Sequence, residues 1–384
     1  MMNKNSKILI VIDSFKGSLS SLEAATLIEN GFKQVEQDLT IRKIPFADGG
    51  EGTVEAIVDA LDGEYITVKI KDPLFRDIDA KYGLINNGSA AVIEMAAASG
   101  ITHLTDDERN PLKTTTYGTG QLIRDAIYRG CSKIVLGIGG SATNEGGIGM
   151  AAALGAKFLD VNGEDVELNG GSLSKVASVD LSEMDSLLES IEVITLSDVN
   201  NPLCGEQGAS AVYGPQKGAT KEKVLLLDNN LSHFADIIQK IRGKVLKDVP
   251  GSGAAGGLGF GAIAFLNSTL VGGTKYLMDL LKLDETIQQY DIVITGEGKI
   301  DSQTKYDKLP AGIAKMAKKY NKFTICIAGG FGEGVEEYQD TYFDKMYSIV
   351  NKDISVEEAI KNAKIHLTEL SRNIAKEQIN KAKF

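Results

Sequence analysis

The chain has 384 residues, 43% of them hydrophobic, and a formal net charge of −11. That length suits two domains with separate cores, and the acidic balance speaks against non-specific nucleic-acid binding, which needs a basic footprint. Tryptophan is absent, which argues against base-stacking platforms. The cysteines Cys131, Cys204 and Cys326 are far apart and form neither a disulfide framework nor a zinc spacing. No signal peptide and no apolar run of membrane-spanning length is visible, so a cytoplasmic location is expected.

Lys7 to Phe15, KILIVIDSF, reads as a buried parallel strand rich in Ile and Val. SLSSLEAATLIENGFKQV follows as a helix, with Ser20 and Glu23 at capping-box spacing. IRKIPFA is a second strand and TVEAIVDAL a second helix, so the chain opens β-α-β-α. From Tyr65 to about His103 the texture changes to shorter strands and Asn-Gly or Pro turns. A helix at TGQLIRDAIYRG, strands at KIVLGI and IEVITLSD, and a helix near VLLLDNNLSHFADIIQKI come next. GAAGGLGFGAIAFLN reads as a tightly packed helix of small residues. YDIVITGEG, PAGIAKMAKKY and FTICIAGG restore strict alternation, and VEEAIKNAKIHLTELSRNIAKE reads as one long terminal amphipathic helix. The expected fold is therefore α/β with two domains. Residues 1–70 and 287–384 form a discontinuous Rossmann-like parallel-sheet domain, and residues 71–286 form a second α/β domain.

In open parallel sheets, ligands bind beyond the carboxyl ends of the strands. After the first strand comes DSFKGS, with Asp13, Lys16 and Ser18; after the second comes ADGGEGT, with Asp48, Glu51 and Thr53. KIVL leads into GIGGSATNEGG, with Gly139, Gly140, Ser141, Thr143 and Asn144. IEVITL leads into Ser197 and Asp198, and DIVI into TGEGKIDSQT, with Gly296, Glu297, Asp301 and Gln303. Singly, these have plainer readings: Asp13 and Asp198 as caps or turn formers, Lys16 as solvated, the glycines as packing devices. Together they suggest a convergent site. The glycine-rich loop suits a backbone N–H cradle for phosphate at a helix N-terminus. GSGAAG, Gly251 to Gly256, matches a dinucleotide fingerprint but follows no strand. Carboxylates at strand ends favour Mg²⁺ held jointly with substrate phosphates. With a lysine and glycine cradles, they point to phosphoryl transfer.

DSFKGSLSSLEAA, PFADGGEGT, GGSATNEGGIGMAAALGA, SDVNNPLCGEQGASAVYGPQKGA, PGSGAAGGLGFG and TGEGKIDSQT run in order from residue 13 to 304. This set resembles the type 1 family of bacterial glycerate kinases. The resemblance implies two α/β domains with a substrate cleft between them, and ATP- and Mg²⁺-dependent phosphorylation of D-glycerate in glyoxylate, glycerate or sugar-acid breakdown. It leans to the 2-hydroxyl and leaves the 3-hydroxyl open. It implies that Lys16 and Ser18 contact a phosphate or the glycerate carboxylate. Gly139 to Asn144 would cradle ATP or glycerate, and Lys217 would add positive charge. Asp198, with Asp48 close behind, would orient or deprotonate the hydroxyl, and Glu297 and Asp301 would hold Mg²⁺ or orient the substrate. Two positions depart from the family pattern. Glu145 stands where Asp is usual, and Asp307 stands where Gly is usual, while Lys308 and Pro310 remain. The alternatives are an NAD-dependent hydroxy-acid dehydrogenase and a non-enzymatic sugar-acid-binding regulator; the latter lacks any basic DNA-reading segment.

Overall fold

The computed structural model describes residues 5–380 apart from Asp48, Glu51, Gln303, Lys305, Tyr306, Asp307 and Asp340. The chain divides into two compact units, Met1–Asp48 with Thr274–Phe384, and Gly49–Gly273. The sequence texture set these crossings later, near residues 70 and 286. The strand Glu64–Lys71 pairs antiparallel with Asp77–Ile85, and the helix Thr53–Ala60 packs on Asp77–Ile85 and Ala90–Glu94. Both therefore lie in the second unit.

The first unit is built on five parallel strands in the spatial order Lys345–Ser348, Phe323–Ala328, Ile292–Gly296, Lys7–Ile12, Thr40–Pro45. Counted along the chain, this is the doubly wound order 2-1-3-4-5. Its topological switch point lies between Lys7–Ile12 and Ile292–Gly296, where such sheets bind ligands. Ile8 to Ile12 are all inaccessible to solvent, because helices cover both faces. The helices Ser21–Lys33 and Ala363–Asn380 lie on the side of Ile8, Ile10 and Ile12. Leu309–Lys319 packs against the central strands as well, and its Ala314 meets Cys326 and Ala328. Ser20 and Glu23 form the expected capping box: the Glu23 amide donates to Ser20 Oγ at 3.2 Å and the Ser20 amide to Glu23 Oε2 at 3.1 Å. The terminal helix is not continuous. It breaks at Asn362 (φ −116°, ψ 30°) into Val356–Lys361 and Ala363–Asn380. Asn362 bonds through its side chain to Glu358 Oε1 at 2.9 Å; asparagine is itself a weak helix former.

The second unit holds a mixed sheet in the order Thr269–Val271, Glu192–Leu196, Lys133–Gly137, Ala90–Glu94, Asp77–Ile85, Glu64–Lys71. The first four strands are parallel and the last two extend the sheet as an antiparallel ribbon. The α/β class expected from the sequence is thus observed in both units. The small-residue segment forms the buried helix Ala254–Leu266, but Ala255, Gly256 and Gly257 within it take left-handed conformations.

Candidate active site

Register places the carboxyl ends of the strands level within each unit. In the first unit Ile12 pairs with both Gly296 and Pro45, so DSFKGS and GEGKIDSQT leave side by side at the switch point. The loop after Ile12 is tight. Phe15 O accepts from the amides of Ser18 and Leu19 at 2.8 and 3.0 Å and from Ser18 Oγ at 2.9 Å. Lys16 is exposed at its tip. Gly298 lets this loop approach, since a Cβ there would lie 3.2 Å from the Lys16 amide nitrogen and the Phe15 Cα. Gly296 is buried in its strand, where a Cβ would fall 1.8 Å from the Ile327 carbonyl oxygen. Its role in the fold is close packing.

Glu297 Oε1 accepts from Thr304 Oγ1 at 3.0 Å, and Oε2 lies 3.5 Å from the Lys308 ammonium. Burial pushes the Glu297 carboxyl up, and Lys308 opposes that shift. Asp301 is fixed by its backbone. Its amide donates to Thr304 Oγ1 at 3.1 Å and its carbonyl accepts from Tyr338 OH at 3.0 Å. Among the described residues no group of three or more His, Cys, Asp or Glu could hold a metal ion. A carboxylate bonded to a lysine is a poor metal ligand as it stands. The donor set does not fit an all-protein cage; it fits a cation carried on substrate phosphates and touched by one carboxylate. Asp48, Glu51, Gln303 and Asp307 lie outside the described residues.

In the second unit Glu94, Gly137 and Leu196 are register partners across three strands, with Val271 beside Leu196. The glycine-rich loop, Asp198 and Gly273 therefore issue from one edge of the sheet. Asp198 is exposed, and its Oδ1 accepts from the Gly273 amide at 2.9 Å. Gly137 and Gly139 let the 49–50 segment cross: Cβ atoms there would meet Gly49 O at 2.6 Å and Gly50 Cα at 2.8 Å. Glu94 was not singled out from the sequence. Its Oε1 accepts from the Val54 amide at 2.7 Å and so tethers the start of the helix after ADGGEGT. The available signal was its place as the last residue of a buried strand.

The loop departs from the expected cradle in one respect. The helix that follows, Ile148–Ala153, has six residues, and its first amides are already occupied. Glu145 takes Gly147 N–H on Oε1 at 2.9 Å, Gly149 N–H on Oε2 at 2.8 Å and Thr116 Oγ1 on Oε1 at 3.0 Å. The protein's own carboxylate fills the place expected for phosphate. Lys217 likewise is no surface charge. It is 2% exposed, and its ammonium donates to Ser141 Oγ and to Thr143 O, both at 2.7 Å. Asn144 Nδ2 donates to Ser210 Oγ at 2.9 Å. Thr143 Oγ1 and Asn144 Oδ1 are buried without hydrogen-bond partners among the described residues. GSGAAG proves to be a packing segment, with the Gly256 carbonyl accepting from the Gly146 amide at 3.1 Å.

Burial pushes Glu145 up to about 7 and pulls Lys217 down to about 7, against the attraction of Glu145. A carboxyl whose folded pKa is raised binds its proton more tightly in the fold than in the unfolded chain. Its stabilising contribution is complete below 4.5 and is lost as pH rises through about 7. Glu145→Gln removes that slope. Between pH 4.5 and 7, wild-type stability is expected to fall relative to the variant by on the order of 1–3 kcal/mol. Urea unfolding of both proteins at several pH values checks this; parallel curves would assign Glu145 no such role.

The family model described as the glycerate kinase family matches residues 8–378. The chain belongs to the glycerate kinase family. A glycerate kinase of Halalkalibacterium halodurans is 48% identical, with 96% of this chain and 97% of the relative covered. A glycerate 2-kinase of Escherichia coli is 44% identical over the same shares. A crystal structure of a protein assigned as glycerate kinase 2 from Salmonella typhimurium LT2 superposes with a TM-score of 0.86. It is 43% identical, and 99% of this chain and 100% of that one are covered. Membership makes the chain a phosphotransferase and sets aside the dehydrogenase and regulator readings. Among the described residues no helix is long and apolar enough to cross a membrane.

Proposed function

We propose that the chain transfers the γ-phosphoryl group of ATP to the 2-hydroxyl of D-glycerate. The observation that carries this reading is the near full-length similarity to glycerate kinases, a glycerate 2-kinase among them. Two features of the sheets support it. Lys16, an exposed cation, stands at the switch point of the parallel sheet, a usual place for a phosphate group. Asp198, an exposed carboxylate whose Oδ1 accepts from the Gly273 amide, stands at the carboxyl edge of the second sheet.

Asp198 accepts the proton of the glycerate hydroxyl as that oxygen bonds to the γ-phosphorus and the bond to ADP breaks. Asp48 is the second candidate for that task. Lys16 and Ser18 bind phosphate oxygens, and the Gly139 to Asn144 loop with Gln303 and Glu51 orients the substrates. Glu297, held by Thr304 and Lys308, and Asp301 are the two carboxylates for the cation or for orientation of the substrate. Mg²⁺ on the nucleotide supplies charge neutralisation at the transferring group. The test is whether ATP and D-glycerate yield a product that enolase accepts without phosphoglycerate mutase. A product that requires the mutase would move the reaction to the 3-hydroxyl.

A further inference from the structure

The buried lysine beside the glycine-rich loop raises a question of hydrogen-bond bookkeeping. Lys217 Nζ sits 2.7 Å from Ser141 Oγ and 2.7 Å from Thr143 O. An ammonium has donors and no acceptor. While Lys217 is protonated, Ser141 Oγ accepts from it and the Ser141 O–H points elsewhere. The described residues supply no acceptor for that proton. Ser141 is 9% exposed while Thr143 and Asn144 are fully buried, so of these three polar residues Ser141 is the one that solvent reaches. The rest of the segment is pinned. The Ala142 amide donates to Ser99 O at 2.9 Å, Asn144 Nδ2 to Ser210 Oγ at 2.9 Å, and Glu145 is held by two amides and Thr116. Ser210 lies in the helix Ala209–Tyr213 and Lys217 in the turn Pro215–Lys217 that follows. One short stretch thus clamps the loop at two points.

We propose that the Ser141 hydroxyl donates a hydrogen bond to an anionic oxygen of a substrate, and that Lys217 is a positioning residue that aims it. This rests on the reading of the loop as substrate-binding. The anionic oxygen belongs to a carboxylate or to a phosphate. In our assignment D-glycerate presents the first and ATP the second. Lys217 touches no substrate. It removes the alternative orientations of the hydroxyl and, as a neighbouring cation, makes it a stronger donor.

The experiment compares Ser141→Ala, Lys217→Met and the double variant with wild type. Calorimetric titration with D-glycerate and, separately, with ATP–Mg²⁺ reads binding whether or not turnover occurs. Steady-state kinetics on the same preparations read KM and kcat. Ser141→Ala is expected to weaken one of the two ligands about tenfold and leave the other within about twofold, which identifies the anion. Lys217→Met is expected to weaken the same ligand, and the double variant to be no weaker than the worse single variant within about twofold, the signature of two residues acting as one unit. If Lys217→Met does not fold because Glu145 is left uncompensated, Lys217→Met with Glu145→Gln restores a neutral interior and replaces it in the cycle. Unchanged binding of both ligands in Ser141→Ala overturns the proposal, and so do losses that multiply in the double variant. A wild-type protein that binds both ligands without turnover contradicts the proposed function alone; one that binds neither contradicts both.

Discussion

Asp198→Asn is expected to lower kcat by about 10²- to 10⁴-fold, the usual worth of a positioned general base, while the protein stays folded. The substitution is nearly isosteric. The retained side-chain oxygen still accepts from the Gly273 amide, the contact that Asp198 Oδ1 makes at 2.9 Å. What is lost is the negative charge and the capacity to take a proton. The argument for Asp198 rests on position. Leu196 is level with Gly137 and Val271 in the sheet, so the residue two places on stands at the carboxyl edge where ligands bind. Steady-state kinetics and a melting curve on the purified variant decide the matter. Turnover within a few-fold of wild type would remove Asp198 from the reaction and leave Asp48 as the next carboxylate to replace.

The second large effect concerns structure. Gly256→Ala is expected to cost about 3–5 kcal/mol of stability. Gly256 has φ +67°, a conformation that costs other residues about 1–2 kcal/mol. A Cβ there would also lie 1.9 Å from Thr143 O and 2.6 Å from Asn144 Cα. Both contacts are backbone atoms, so no side chain can swing aside. The glycine-rich loop would have to move, and activity would fall with it. Gly163→Ala is the control. It has φ +81° with nothing within 4 Å of a Cβ, so it bears the conformational cost alone, about 1–2 kcal/mol. Chemical denaturation of both variants separates the two causes. Equal losses would show that close approach at Gly256 contributes nothing.

The elements set by local periodicity could be read from the sequence. The Ile and Val run at Lys7 to Ile12 became a buried strand, and Ser20 with Glu23 became the cap they spelled. Strand ends were legible for the same reason, so Asp13, Asp198 and the loop after Gly137 do follow strands as the sequence placed them. Long-range packing was not legible. Nothing near Lys217 in the chain shows that its ammonium is buried against residues more than seventy positions earlier. Glu145 reads locally as one more loop acid, and its capture of the Gly147 and Gly149 amides appears only when the backbone turns back on it. The GSGAAG glycines left packing and binding both open, because sequence does not distinguish a glycine that admits a phosphate from one that admits a neighbouring backbone. Asn362 breaks a helix whose apolar pattern continues on both sides, so periodicity alone ran through it.

The most direct test of phosphorylation at the 2-hydroxyl is a coupled assay with purified protein, ATP, Mg²⁺ and D-glycerate. Enolase, pyruvate kinase and lactate dehydrogenase report the product as loss of NADH, with and without phosphoglycerate mutase. The expected result is NADH loss at the same rate in both cases, because 2-phosphoglycerate enters enolase directly. Loss only when the mutase is present would contradict the assignment of the hydroxyl, and no loss in either case would contradict glycerate as the substrate.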